Sequence, residues 1–232
     1  MVVQDQAAEL ERILSHAVDL LTDLVADFEL IVVENGSSDQ SIAELKRITG
    51  ESGLPNLQVF ALTKEVSADT ASWVGIENAL GDFVAVLDPR IDDIAFLPAL
   101  LREAMAGVDV VFAANLGAPP QSLSYRLGFA VFNNLYKWFG GVDLASEAPH
   151  FRIVGRKVVA YIQQHVQPWA VYRHLPATGG FSRVNLTYQR DALPGRKGKR
   201  FDEGFQRAMR LLVSTTQAPM RLVTLRSFVL EL

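Results

Sequence analysis

Short apolar runs alternate with amphipathic stretches through the first half of this 232-residue chain, and no other feature constrains its fold as tightly. From Ala7 to Val25, apolar residues at Leu10, Ile13, Leu14, Ala17, Leu20, Leu21 and Leu24 keep a helical period. Phe28 to Val33 is compact and β-branched, which predicts a buried strand. The rhythm then repeats: helix over Gln40 to Ile48, strand over Leu57 to Leu62, helix over Ala68 to Leu80, strand over Phe83 to Leu87, helix over Ile94 to Met105 and strand over Val108 to Ala113. Strands alternating with helices of about 10–15 residues predict an α/β fold with a doubly wound, mostly parallel sheet flanked by helices. Ligands bind such sheets beyond the carboxyl ends of the strands. Two acidic turns, 34–39 and 88–93, fall at such ends.

After residue 113 the rhythm changes. Ala118-Pro119-Pro120 is a breaker, and Leu123 to Phe139 reads as an aromatic-rich helix for core packing or a homodimer contact. Phe151 to Val154, a small helix over Arg156 to His165, an edge strand over Ser182 to Tyr188, a basic loop over Arg190 to Arg200 and a helix over Asp202 to Val213 follow. The chain reads as a single domain without repeats.

Composition removes several function classes. With 49% apolar residues the chain has material for a full core, so it is neither disordered nor fibrous. The absence of cysteine excludes thiol nucleophiles, zinc–thiolate sites and iron–sulfur clusters. A net charge of -4 argues against a globally basic nucleic-acid binder. No run approaches the roughly 20 apolar residues a membrane span requires, and the first residues lack the blocks of a signal peptide. The expectation is a soluble, cytoplasmic protein.

Two segments carry candidate chemistry. In Val33-Glu34-Asn35-Gly36-Ser37-Ser38-Asp39, a carboxylate and an amide directly after a buried strand can hydrogen-bond a base or ribose, or Ser38 and Asp39 can simply cap the next helix. In Gly81-Asp82 through Asp88-Pro89-Arg90-Ile91-Asp92-Asp93, closely spaced carboxylates suit a divalent cation held with substrate phosphates, or form a solvated turn in which Asp92 or Asp93 caps the helix from Ile94. His16, His165 and His174 have no partners at metal-ligand spacing.

Together the segments resemble family 2 glycosyltransferases of GT-A fold, in particular the dolichyl- and polyprenyl-phosphate sugar synthase subgroup. That group shows V-D-D-G-S-x-D, matched at Val33 to Asp39, then A-x-G-D and D-A-D, matched at Ala79-Leu80-Gly81-Asp82 and Asp88-Pro89-Arg90. Its D-F-R-L is matched at His150-Phe151-Arg152-Ile153. Later elements resemble Gly180-Phe181, Tyr188-Gln189-Arg190, the loop Gly195-Arg196-Lys197-Gly198-Lys199-Arg200, and Pro219-Met220-Arg221-Leu222.

The resemblance implies transfer of a sugar from a nucleoside diphosphate sugar to an acceptor, polyprenyl phosphate among them, with inversion. It divides the chain into a nucleotide-binding half, 1–113, and an acceptor half, 114–232. By position, Glu34 and Asn35 would contact the nucleoside, while Asp82 and Asp88 would line the nucleotide and metal end. Arg152 would face the phosphates with Arg190, Arg196, Lys197, Lys199 and Arg200. Asp88, Arg152 and His150 are the catalytic candidates. From Arg183 to Arg200 six basic residues accompany one acid, which suits phosphate or contact with an anionic membrane inner face.

Two departures stand out. Arg90 takes the place of the second acid of D-x-D, a metal ligand in the family, and His150 replaces the acid of D-F-R-L. Three readings stay open. Arg90 replaces a Mg or Mn ion; or Asp92 or Asp93 joins Asp88 in holding the metal; or the chain is a non-catalytic GT-A homologue acting as a binding or assembly partner.

Overall fold

A computed structural model of the chain describes residues 1–50, 53–117, 134, 149–173 and 175–190. The expected aromatic helix at 123–139, His174, the loop residues Arg196, Lys197, Lys199 and Arg200, the helix at 202–213 and the segment 219–222 lie outside the described residues.

Apart from a short first strand and two single helical turns, the elements follow the predicted order. They are β1 (Val2–Val3), α1 (Leu10–Leu24), β2 (Leu30–Glu34), α2 (Ser41–Ile48), β3 (Leu57–Ala61), α3 (Ala68–Asn78), β4 (Phe83–Val86), α4 (Leu97–Met105) and β5 (Val110–Asn115). After them come β6 (Arg152–Gly155), α5 (Arg156–Gln163), the single turns α6 (Pro168–Val171) and α7 (Leu175–Thr178), and β7 (Arg183–Tyr188). A 3-10 turn at Ile94–Phe96 leads into α4 where one continuous helix is predicted. Asp93 starts that turn by accepting from the Ala95 N–H, and Pro98 sits at the beginning of α4, where its missing N–H costs nothing.

β1, β2 and β3 form a wholly parallel sheet in that order, with Val3 opposite Glu34 and Glu34 opposite Ala61. The second sheet runs β4-β6-β5-β7; β6 is antiparallel to both neighbours, and β5 and β7 are parallel. β6 therefore inserts a strand from beyond residue 113 between two strands from before it. Residues on both sides of that point build one sheet.

Alternation along the strands makes the fold doubly wound. Leu30 and Val32 turn toward α1 and α2, where they pack with Leu10, Leu14 and Leu45. Ile31 and Val33 turn the other way and join Trp73 and Ile76 of α3. In the second sheet Val110 and Phe112 share that α3 core, while Val111 and Ala113 pack with Leu97 and Leu100 of α4. Successive side chains on a strand point to opposite faces, so a run apolar at every position requires cover on both.

β1 reaches only Val33 and Glu34 of β2. Along the rest of that seam lies an apolar cavity of about 290 Å³, lined by Met1, Leu24, Phe28, Ile31, Ile76 and Val84 among others. The Met1 amine is buried there and donates to the Ile31 carbonyl at 2.7 Å. Burial pushes its pKa down to about 6, against the opposing pull of Asp88. Among the described residues, no helix is long and apolar enough to cross a membrane.

Candidate functional site

At the carboxyl end of β2 the chain makes a turn only glycine can make. Gly36 has φ +65°, and a Cβ there would lie 2.3 Å from the Glu65 backbone nitrogen. The turn lets the Ser37 N–H reach Glu34 Oε1 at 2.6 Å, whereas Glu34 Oε2 is buried with no partner among the described residues. Glu34 is 0% exposed. Asn35 acts as a clamp: its Nδ2 donates to the Val66 carbonyl and its Oδ1 accepts from the Val66 N–H, both at 2.9 Å. The far side of the turn is laced to the segment after β1. Asp5 accepts from the Ser38 N–H at 2.8 Å, and Asp39 accepts from Ala7 and Ser41. Hydrogen bonding from Ser41 and the Ala7 backbone holds the Asp39 carboxyl below its ordinary range. Ser38 and Asp39 thus lace the turn to the segment after β1, while the cap position of α2 falls on Gln40, which makes no side-chain cap bond.

At the carboxyl end of β4, Asp88 is buried and its carboxylate is forked by Arg90. Arg90 Nε donates to Oδ1 at 3.1 Å, Nη2 donates to Oδ2 at 3.0 Å, and the Arg90 backbone N–H reaches Oδ1 at 2.9 Å. Asp92 is tied inward. Its Oδ2 accepts from the Asp88 N–H at 2.8 Å and lies 3.3 Å from His150 Nδ1, while its Oδ1 accepts from the Tyr188 hydroxyl at 3.5 Å. Burial, with the Asp92 charge beside it, pushes the Tyr188 phenol well above its ordinary value. Arg190 crosses from beyond β7 to the same turn and donates through Nη1 to the carbonyls of Asp92 and Pro89. Two arginines therefore converge on the turn 88–92.

His150 completes an Asp92–His150–Ser72 line, with Nε2 3.1 Å from the Ser72 hydroxyl. Although its residue types match a hydrolase triad, Ser72 is 3% exposed and donates its proton to the Ala68 carbonyl at 2.8 Å, so no nucleophile is presented. Its effect is to join α3 to the 88–92 turn. Since Asn35 holds Val66, one residue before the α3 cap Ser67, and His150 meets Ser72 in the second turn of α3, both turns are tied to the amino-terminal part of that helix. Asp69, on the same face of α3 as Ser72, pairs with Arg173 at 2.9 Å. Polar residues three apart on an otherwise buried helix face were the sequence signal for this network; Asp69 and Ser72 carry no sequence expectation, and Tyr188 was expected only as part of Tyr188-Gln189-Arg190, not as a partner of Asp92.

Two expectations need correction. Asp82 does not share a site with Asp88: it is exposed at the amino end of β4, and six residues of extended chain separate the two by about 20 Å. Arg152 does not face an open phosphate site. It is 1% exposed, donates to the carbonyls of His150, Arg173 and Pro149, and lies over the rings of Phe112 and Tyr172 at 5.1 and 5.6 Å. Burial pushes its pKa down to about 10.

The expected metal pair, Asp88 and Asp92, does not fit a divalent cation. Such an ion needs carboxylate oxygens aimed at one point and open to it, but both Asp88 oxygens accept from Arg90 and both Asp92 oxygens have partners in the protein. Among the described residues no group of three or more His, Asp or Glu side chains is arranged to hold a metal.

The sequence profile of Glycosyl transferase family 2 matches residues 1–161. An uncharacterized glycosyltransferase of Synechocystis is 23% identical over 186 residues, 78% of this chain and 57% of that protein. Another, YkcC of Bacillus subtilis, is 25% identical over 171 residues, 71% of this chain and 51% of that protein. The undecaprenyl-phosphate 4-deoxy-4-formamido-L-arabinose transferase of Pseudomonas fluorescens is 28% identical over 110 residues, 47% of this chain and 32% of that protein. The chain thus spans about half the length, or less, of these relatives. Mycobacterium tuberculosis glucosyl-3-phosphoglycerate synthase, solved with Mn2+, UDP and glucosyl-3-phosphoglycerate, superposes with a TM-score of 0.61 at 15% identity, covering 91% of this chain and 77% of that one. That likeness is one of fold.

Proposed function

The chain belongs to glycosyl transferase family 2, and from that premise we propose that it transfers a sugar from a nucleoside diphosphate to the phosphate of a polyprenyl acceptor, with inversion. The acceptor oxygen attacks the anomeric carbon from the face opposite the leaving group. The bond from that carbon to the β-phosphate oxygen breaks, and its electron pair leaves with the diphosphate. Such a displacement needs the leaving charge stabilised and the nucleophile held in line.

The observation that carries this reading is Glu34. A carboxylate is acceptor-only, and leaving one buried oxygen unpaired costs about 1–3 kcal/mol. Glu34 is 0% exposed, so a nucleoside base brings an N–H to Oε2 only when the cover over the carboxyl end of β2, where ligands of doubly wound sheets bind, opens to admit it. Arg90 and Arg190 put positive charge at the carboxyl end of β4 for the diphosphate.

Acceptor chemistry follows from the carboxylates. Asp88 is engaged by Arg90 and Asp92 by Tyr188 and His150, so neither stands ready as a general base. A phosphate oxygen is already anionic and needs none. The similarity to an undecaprenyl-phosphate transferase supports the same class of acceptor. Arg196, Lys197, Lys199 and Arg200 are the residues proposed to hold its phosphate near a membrane surface.

Calorimetric titration with UDP and with GDP tests the donor site. Wild type binds one of them, and Glu34→Gln, which replaces the acceptor by a donor of equal size, weakens binding about tenfold or more at an unchanged urea midpoint. Failure of both nucleotides to bind overturns the reading. Salt-sensitive binding of polyprenyl phosphate vesicles, lost when the four basic loop residues are neutralised, tests the acceptor.

A further inference from the structure

We propose that Arg90 is a built-in cation that takes the place of a divalent metal, so that this chain binds its nucleoside diphosphate without metal. The inference rests on the donor reading above and concerns what neutralises the diphosphate within it.

The guanidinium sits where a cation on Asp88 would sit. Both carboxylate oxygens are donated to by the two nitrogens of one planar fork, at 3.1 and 3.0 Å, and the backbone N–H of the same residue adds a third bond at 2.9 Å. Fork-to-carboxylate pairing of this kind is among the strongest and most directional available to a side chain. A divalent ion approaching Asp88 has to displace the fork and then endure a fixed positive charge beside it. Arginine cannot relieve that repulsion by losing its proton.

The shifted alternative, a metal on Asp92, is closed as well. Asp92 Oδ2 is committed to the Asp88 N–H and faces His150, and Oδ1 accepts from Tyr188. These bonds fold the 88–92 turn back on itself and aim its carboxylates inward.

Charge remains balanced in this arrangement. Two acids with one dication sum to zero, and so do Asp88 and Asp92 with Arg90 and Arg190, so a bound diphosphate meets comparable local charge in either design. Asp88 is a positioning residue here: its side chain is 8% exposed, while that of Arg90 is 41% exposed. The buried partner orients the guanidinium, and the exposed one meets the ligand. Arg190, held to the carbonyls of Pro89 and Asp92, adds a second positive charge to the same turn.

The test is calorimetric titration of UDP and GDP into wild type, once in excess EDTA and once in excess Mn2+. The expected result is the same Kd in both buffers within about twofold. In EDTA, and at a temperature where the variant is folded, Arg90→Gln, neutral and shorter, should bind about tenfold or more weakly; its melting temperature should fall as well, because buried Asp88 loses the fork. Arg90→Asp, which restores an acid two residues after Asp88, should acquire dependence on Mn2+. If Mn2+ tightens wild-type binding about tenfold or more, the inference is overturned while the donor reading stands. Unchanged nucleotide affinity in Arg90→Gln overturns it as well. Absence of binding in both buffers removes the donor reading and this inference with it.

Discussion

Arg152 offers the sharpest separation of a structural role from a ligand-binding one. Replacing it by Met keeps much of the volume and removes the charge. Three carbonyls, those of His150, Arg173 and Pro149, then lose a donor in a site with 1% exposure, and two rings lose a cation. At about 1–2 kcal/mol per carbonyl and about 1 kcal/mol for the aromatic contacts, the gross loss is about 4–7 kcal/mol. Removing the buried charge recovers part of it. A pKa pushed from 12.5 down to about 10 corresponds to about 3 kcal/mol of burial cost. The net destabilisation is about 1–4 kcal/mol, which at an m-value of about 2–3 kcal/mol/M lowers the urea midpoint by about 1 M. Arg152→Lys does not rescue it, because a point charge cannot span three carbonyls. Tryptophan fluorescence is a suitable probe, since the Trp73 ring lies 6.2 Å from the Tyr172 ring beneath the guanidinium. Nucleotide affinity of the folded variant should stay within about threefold of wild type. An unchanged urea midpoint together with a large loss of nucleotide affinity would refute the reasoning and return Arg152 to the phosphates.

Three other perturbations follow from the described geometry. Asn35→Asp keeps the acceptor for the Val66 N–H but sets a carboxylate oxygen against the Val66 carbonyl; a loss of about 2–4 kcal/mol in urea unfolding is expected, and equal stability would show the clamp to be dispensable. Gly36→Ala forces a side chain into a left-handed φ and against the Glu65 backbone, costing about 3 kcal/mol or more, again read by urea unfolding. With a free Met1 amine, whose pKa falls from 8.0 to about 6 on folding, the unfolded chain binds more protons between those values. Stability should therefore rise by about 2 kcal/mol from pH 6 to pH 8, and the part of that slope due to the amine should vanish on Nα-acetylation, which leaves an N–H for the Ile31 carbonyl.

The order of strands and helices, the two-sided burial of β2 and β5 and the placement of two acidic turns at strand ends were all determined by the sequence. Periods of 2 and 3.6 residues are local properties, legible without knowing what packs where. The anomaly at Arg90 was legible too, because Asp88 and Arg90 are neighbours in the chain. Tertiary structure alone decided which groups share a site. Asp82 and Asp88 are close in sequence, yet an extended strand carries them to opposite ends of a sheet. His150 meets Ser72 and Asp92 across 78 and 58 residues, and no local pattern encodes such meetings. Arg152 carries the same charge whether it faces solvent or a buried ring of carbonyls. Residue type sets what a side chain can do; packing sets what it meets.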